Sequence, residues 1–204
     1  SDVYKRQIPI GFADRMIAKV KLFEKRIEEY EMMLDESTIW LVRLQGVGYA
    51  NAEEMVEAGV SGPNVRAAGV NYDIRWAHPY SVYDEIDWEP AVEKPTSVKG
   101  ADCYDRYRVR IEEMRQSCRM LLDAIEKIPG GKNTHYSAGD EMIFTKAPTR
   151  APEGATGFSN YECTRGASQF YIQGGGEGRG KMPYRLSIRS PMFITIPFVA
   201  KTMI

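Results

Sequence analysis

The stretch "DCYDRYRVRIEEMRQSCRMLLDAIEKIPGG", residues 102–131, constrains the fold more than any other part of the chain. Tyr104, Tyr107, Ile111, Met114, Cys118, Leu121, Leu122, Ile125 and Ile128 recur at steps of three and four, with charged residues filling the gaps. That period puts the apolar residues on one face of an α-helix. Asp102 can cap its start, and Pro129-Gly130-Gly131 stops it. A helix of this length with a single apolar face needs a partner. A second stretch supplies one: from Asp14, read as its N-cap, Met16, Ile17, Val20, Phe23, Ile27, Tyr30 and Leu34 follow the same period. The two helices are expected to pack antiparallel or within a bundle, each burying its stripe on the other.

Shorter elements follow from caps and stops. "STIWLVRLQ" reads as a helix ended by Gly46 and Gly48. "NAEEMVEAG" reads as one capped by Asn51 and stopped by Gly59, and Pro63 opens another running through Arg66. After residue 131 the pattern changes. "GFSNYECTRG", "SQFYIQ" and "YRLSIRS" are short, aromatic and β-branched, separated by glycine-rich turns, and predict a small antiparallel sheet. The closing "MFITIPFVAKTMI" is far short of the roughly 20 residues of a membrane span and is interrupted by Pro197; it reads as a buried helix or strand-to-helix segment. The expected fold class is therefore mainly α with a small antiparallel β-subdomain. Residues 8–131 form the helical body, and residues 132–204 the β-subdomain and the start of a terminal helix, as parts of one domain. "SDVYKRQ", residues 1–7, resembles a translated adaptor remnant and is set aside as a non-native leader. The chain reads as an internal fragment of a longer protein.

Function classes can then be narrowed. The 27 basic and 28 acidic residues give a net charge of -1, which argues against a nucleic-acid partner. Cys103, Cys118 and Cys163 form no C-x-x-C pair, so neither a zinc ribbon nor a thioredoxin-like motif is supported, and a reducing cytoplasmic setting fits. "GGEGRGKM" approaches a phosphate-binding loop but has Met182 where a hydroxyl is needed and runs into a strand, so a hairpin loop is expected. His78 and His135 lack partners at ligand spacing, and no metal site is read. Glu112 and Glu113 read as part of a solvated helix face. No catalytic residue can be assigned.

What remains is a set of charges in irregular, glycine-flanked surroundings: Arg66, Asp73, Arg75 and Arg165. Asp73 and Arg75 are two apart and share a side of an extended segment. Two readings stay open. One is a structural salt-bridge network tying loops to the helical body. The other is a set of cations tuning a redox or proton-transfer cavity at the interface with another subunit.

Three stretches in order carry a family resemblance. They are "SGPNVRAAGVNYDIRWAHPYSVYDEIDW", "YDRYRVRIEEMRQSCRMLLDAI", and "RG" followed by "PYRLSIRSPMF". Together they resemble the D subunit of NADH-quinone oxidoreductase, respiratory complex I, a family homologous to the large subunit of nickel-iron hydrogenases. The resemblance implies a truncated form of that fold. It also implies a peripheral subunit on the cytoplasmic face of the cell membrane, packed against the iron–sulfur subunit that carries the terminal cluster. Other peripheral-arm subunits and the membrane arm would complete a proton-pumping complex. Quinone would be the substrate of that complex, reduced in a cavity shared with the iron–sulfur subunit. No flavin or iron–sulfur cluster would be bound by this chain, and NADH would be used on another subunit. Arg66, Asp73, Arg75 and Arg165 are the implied quinone-cavity or redox-interface candidates, while Trp76, Tyr80, Tyr83 and Trp88 would offer contact area to neighbouring subunits. One departure stands out: Arg165-Gly166-Ala167 replaces the family's R-G-E and is closer to the hydrogenase form. A hydrogenase large subunit, the related deazaflavin-fed dehydrogenase subunit, and an assembly scaffold without redox role remain alternatives.

Overall fold

The computed structural model describes residues 7–8, 11–128, 136–137, 152–176 and 182–202. Most of the leader, His135, the Pro129-Gly130-Gly131 stop and the centre of the glycine loop lie outside the described residues. Gln7, the last residue of the stretch set aside, opens strand β1 (Gln7–Ile8), which pairs antiparallel with β2 (Tyr136–Ser137).

The two long helices are α1 (Phe12–Asp35) and α6 (Cys103–Glu126). They run antiparallel: Asp35 at the end of α1 accepts a hydrogen bond from the Tyr104 hydroxyl at the start of α6 at 3.1 Å, and Glu31 pairs with Arg115. Between them Val20, Ile27, Ile111 and Cys118 form one core. The start of α1 differs from expectation. Gly11 caps it with a left-handed backbone (φ 73°), and Asp14 lies in the first turn instead. The α6 start follows the sequence: the Asp102 carboxylate accepts from the Asp105 N–H at 2.9 Å and the Asp105 carboxylate from the Asp102 N–H at 3.2 Å, a reciprocal capping box.

The apolar face of α6 is wider than one stripe. Ile111, Cys118 and Ile125 are buried, but Leu121 is exposed, and Val109 is buried on a second side. That second side meets a separate core of Ala50, Met55, Val60, Val65, Ala67, Ala68, Ala101 and Phe198. Four short helices and a last one complete the set. α2 (Thr38–Leu44), capped by Ser37, packs against α1 and α6; α3 (Ala52–Glu57), capped by Asn51, α4 (Pro63–Ala67) and α7 (Met192–Thr202), which contains Pro197, line this second core; α5 (Ile74–Ala77) lies against the strand at 156–163. Helix α6 thus separates two cores, with α1 on one side and α4 on the other.

The remaining layer is a three-stranded antiparallel sheet in the order β3 (Thr156–Cys163), β4 (Gly166–Gln173), β5 (Arg185–Arg189). The tight turn at Thr164-Arg165 fixes the register Cys163↔Gly166, Glu162↔Ala167 and Tyr161↔Ser168. By alternation, Asn160, Glu162, Ala167 and Gln169 share one face. Tyr161, Phe170, Ile172, Leu186 and Ile188 share the other, where Ile172, Leu186 and Ile188 are exposed. No helix among the described residues is long and apolar enough to cross a membrane.

Candidate functional site

The site begins with two glycines. The loop before α4 meets the β3–β4 turn so closely that a Cβ on Gly62 would lie 2.4 Å from the Gly166 Cα. Gly62 has φ 79° and Gly166 φ 121°, conformations that favour glycine. Beside this contact the Ser61 hydroxyl oxygen accepts from the Ala167 N–H at 2.9 Å. Further along β3 the Glu162 N–H donates to the Tyr80 hydroxyl oxygen at 3.2 Å. These contacts lay the hairpin across α4 and bring Glu162 to Arg66.

Arg66 is one of the largest fully buried side chains, 2% exposed. Its Nε donates to Glu113 Oε1 of α6 at 3.0 Å, and its Nη2 also contacts that oxygen. Three oxygens surround Nη1: the Tyr72 carbonyl at 3.1 Å, Glu162 Oε1 at 3.0 Å and Asp73 Oδ2 at 3.1 Å. One guanidinium therefore joins α4, the 72–73 segment, α6 and the hairpin.

Asp73 is fully buried and works in two directions. It caps α5, with Oδ1 accepting from the Arg75 N–H at 2.9 Å and from Arg75 Nε at 3.0 Å, while Oδ2 accepts from Arg75 Nη2 at 2.7 Å. Arg75 in turn lies over the Trp88 ring, 4.7 Å from its centroid, and near Tyr83 at 5.7 Å. Burial opposes the charge on Arg75, but the hydrogen bond and attraction of Asp73 outweigh it and hold its proton affinity above the ordinary value. Burial drives the Glu162 carboxyl upward, reinforced by the Asp73 charge and opposed by Arg66 and the Ile74 N–H.

Of the four charged residues singled out from the sequence, the structure brings Arg66, Asp73 and Arg75 into one connected cluster. Arg165 is not in it; it is exposed at the hairpin turn three residues beyond Glu162. The aromatic residues are divided as well. Trp88 is buried, with its indole N–H donated to the Tyr83 carbonyl at 3.1 Å, and Tyr80 braces the hairpin, so both serve contacts within the chain. Trp76 is exposed.

Two acids of the cluster escape the sequence reading. The solvated face expected of Glu112 and Glu113 holds for Glu112, with its partners Arg115 and Arg119, but not for Glu113. Glu113 has Arg110 three residues before it on its own helix, so helical spacing gives no hint of its link to Arg66. Glu162 stands in a strand whose neighbours give no hint either.

A cleft of about 460 Å³ adjoins the cluster through Tyr72, with Val56, Val60, Val65 and Ile194 on its walls and Asn71, Gln169 and Arg189 as polar groups. Among the described residues no group of three His, Cys, Asp or Glu side chains could hold a metal ion. The chemistry available from the cluster's own side chains is charge stabilisation and proton binding.

Comparison with known proteins gives this geometry a family. The profile of the family described as respiratory-chain NADH dehydrogenase, 49 Kd subunit, matches residues 4–204, and so takes in Tyr4 to Gln7 of the stretch set aside as a leader. A NADH-quinone oxidoreductase D subunit of Thermodesulfovibrio yellowstonii is 38% identical over 196 residues, covering 86% of this chain and 47% of that protein. One from Chloroherpeton thalassium is 35% identical over 206 residues, covering 93% and 45%. The chain spans about half the length of the curated relatives it matches. Among solved structures, a chain of the membrane-bound sulfane sulfur reductase, an archaeal respiratory membrane complex, superposes with a TM-score of 0.72 at 28% identity, over 94% of this chain and 49% of that one. Identity at this level over nearly the whole chain, with the profile match behind it, leaves one assignment: the protein belongs to the 49 kDa subunit family of respiratory-chain NADH dehydrogenase, the family of the NADH-quinone oxidoreductase D subunits.

Proposed function

We propose that this chain is part of a peripheral-arm subunit of a proton-pumping NADH-quinone oxidoreductase and helps form the cavity in which quinone is reduced. The observation that carries the reading is the family match over residues 4–204. On this reading the subunit lies on the cytoplasmic face of the cell membrane, against an iron–sulfur subunit with the terminal cluster. It shares the fold of nickel-iron hydrogenase large subunits, binds no flavin or cluster itself, and leaves NADH to another subunit. The Arg66–Asp73–Arg75 cluster would fix the cavity wall by locking the hairpin to α4 and α6, and exposed Arg165 would face the partner. Residues 8–131 and 132–204 would act as one unit because that cluster joins them.

The test uses the assembled complex, purified through a tag on the full-length subunit. NADH-driven reduction of a soluble quinone, with iron–sulfur subunits copurifying, is the expected result. In Asp73→Asn, which leaves a neutral group between two guanidiniums, turnover or assembly is expected to fall several-fold. A complex that reduces no quinone would overturn the reading, and wild-type turnover and assembly in Asp73→Asn would remove Asp73 from the site.

A second reading rests on Arg165-Gly166-Ala167 and on the likeness to the sulfane sulfur reductase chain: the complex passes electrons to an acceptor other than quinone. Reduction of a sulfane-sulfur compound or of protons by the same preparation, without quinone reductase activity, would favour it.

A further inference from the structure

The carboxyl of Glu162 has one oxygen too many for its surroundings. Its side chain is 3% exposed. Oε1 accepts from Arg66 Nη1, whereas Oε2 is buried without a hydrogen-bond partner. The Ile74 N–H acts on the carboxyl as a weak hydrogen-bond donor that holds its proton affinity down, but its geometry does not satisfy Oε2. The shortage can be traced to Arg66. Nη1 carries two hydrogens but faces three oxygens, those of Tyr72, Asp73 and Glu162. Asp73 is already supplied by three bonds from Arg75. Nothing comparable reaches Glu162 Oε2. Asn160 Oδ1, two residues away on the same face of β3, is likewise buried with no donor, so this side of the strand is short of protons.

Charge points the same way. Arg66, Asp73 and Glu162 are buried together, one guanidinium against two carboxylates. At the rim Arg75 and Glu113, both 21% exposed at the side chain, offset each other. Tyr80 meets Glu162 through its backbone N–H. Farther out, Arg110 on α6 is exposed and donates to the Arg106 carbonyl at 2.8 Å, and Arg165 is exposed at the hairpin turn. A buried excess charge is costly, and a carboxyl relieves it by taking a proton.

We infer that Glu162 is a proton-uptake site: in the folded protein one proton binds at Oε2, turns that unpaired acceptor into an O–H donor and makes the Arg66–Asp73–Glu162 trio neutral. The step is a simple acid–base equilibrium, Glu162 carboxylate plus a proton from water giving the carboxylic acid, with no change in redox state. The upward displacement of this carboxyl by burial and by Asp73 agrees with it. The inference goes beyond the proposed oxidoreductase role without depending on it. Within that role, the site would let the subunit take up a proton as negative charge accumulates nearby.

The test reads Glu162 directly. The chain is prepared with glutamate labelled at the side-chain carboxyl carbon, and each signal is followed by NMR as pH is raised from acid to alkaline. One glutamate is expected to titrate clearly above the ordinary range of about 4.3, and that signal should be lost in Glu162→Gln. Asp73→Asn removes the adjacent negative charge and is expected to bring the midpoint down. Ordinary midpoints for every glutamate overturn the inference, as does a high midpoint that survives in Glu162→Gln. A Glu162→Gln chain that fails to fold also overturns it, because the amide reproduces the protonated carboxyl in shape and charge. No quinone or electron donor enters the measurement, so failure of the oxidoreductase reading leaves its outcome intact.

Discussion

Replacing Arg66 with methionine removes the one cation that touches every part of the cluster. The consequences differ from acid to acid. Asp73 keeps its three bonds from Arg75, so it loses little. Glu113 is 21% exposed at the side chain and can turn to water. Glu162 has neither recourse: it is 3% exposed, and among the described residues Arg66 is its only side-chain donor. The Tyr72 carbonyl also loses its bond. Glu162 must then either stand as a stranded buried charge or hold a proton against neutral solution, a cost of about 3–5 kcal/mol at neutral pH. The penalty should shrink in acid, because Glu162 can then become neutral. In sign, a carboxyl whose folded affinity for protons is raised withdraws stability as pH climbs through its folded midpoint, and restores it below the ordinary value. Removing Arg66, which opposes that rise, widens the window upward. At low pH the residual cost is that of the lost neutral hydrogen bonds, about 1–3 kcal/mol. Urea unfolding of the chain, followed by far-UV circular dichroism near pH 4 and pH 7.5, measures both limits. With an m-value of about 2–3 kcal/mol/M, the neutral-pH midpoint should drop by about 1–2.5 M. Adding Glu162→Gln to Arg66→Met should recover much of the loss at neutral pH. A neutral-pH cost below about 1 kcal/mol, a cost that does not fall in acid, or double-mutant effects additive within about 0.5 kcal/mol would refute the reasoning.

Two further outcomes follow from the hairpin seat. Gly166→Ala would set a Cβ 2.5 Å from Ser61 Oγ and 2.7 Å from the Ser61 carbonyl oxygen at φ 121°, so a loss above about 2 kcal/mol is expected, combining backbone strain with the clash. Gly154→Ala, at φ 76° with nothing within 4 Å, carries strain alone, about 1 kcal/mol, and equal losses in the same urea assay would contradict the close-packed seat. Ala167→Glu restores the R-G-E pattern and places a second carboxylate directly across from Glu162. Cross-strand like charges repel, so the Glu162 NMR midpoint should rise; a fall would mean that the new acid acts elsewhere, as through Arg189 in the neighbouring cleft.

The parts of this fold that are legible in the sequence are those governed by local rules. Period locates α1 and α6, and Asn51 and Asp102 cap as expected, whereas α1 starts at Gly11 and not at Asp14. Alternation and glycine turns outline the sheet. Reading fails where a residue answers to a distant one. Val109 lies off the α6 stripe because α6 has a second neighbour, α4, which no helical period can announce. Glu113 and Glu162 acquire their roles from Arg66, 47 and 96 positions away. The Gly62–Gly166 contact is equally non-local. Arg66, Asp73 and Arg75 are visible because charges beside Ala67-Ala68-Gly69 are out of place on a solvated surface; Arg165 looks similar but lies exposed at the hairpin turn, outside the cluster.

A buried ion network of this kind contributes little net stability, since desolvating its members offsets much of their attraction. Its position explains it better as a device for register. The sheet presents Ile172, Leu186 and Ile188 to solvent on one face, so burial of that face does not decide how the hairpin lies on the helices. Polar contacts decide it instead. A one-residue slip of β3 would turn Glu162 to the opposite face, stranding Arg66 without its partner. It would also part Ala167 from Ser61 and push a side chain into the gap that only Gly62 and Gly166 leave open. Apolar contacts tolerate such slips, whereas a guanidinium with fixed N–H directions does not. The cluster therefore sets the hairpin in one place, and the same directional demand leaves Glu162 Oε2 without a donor.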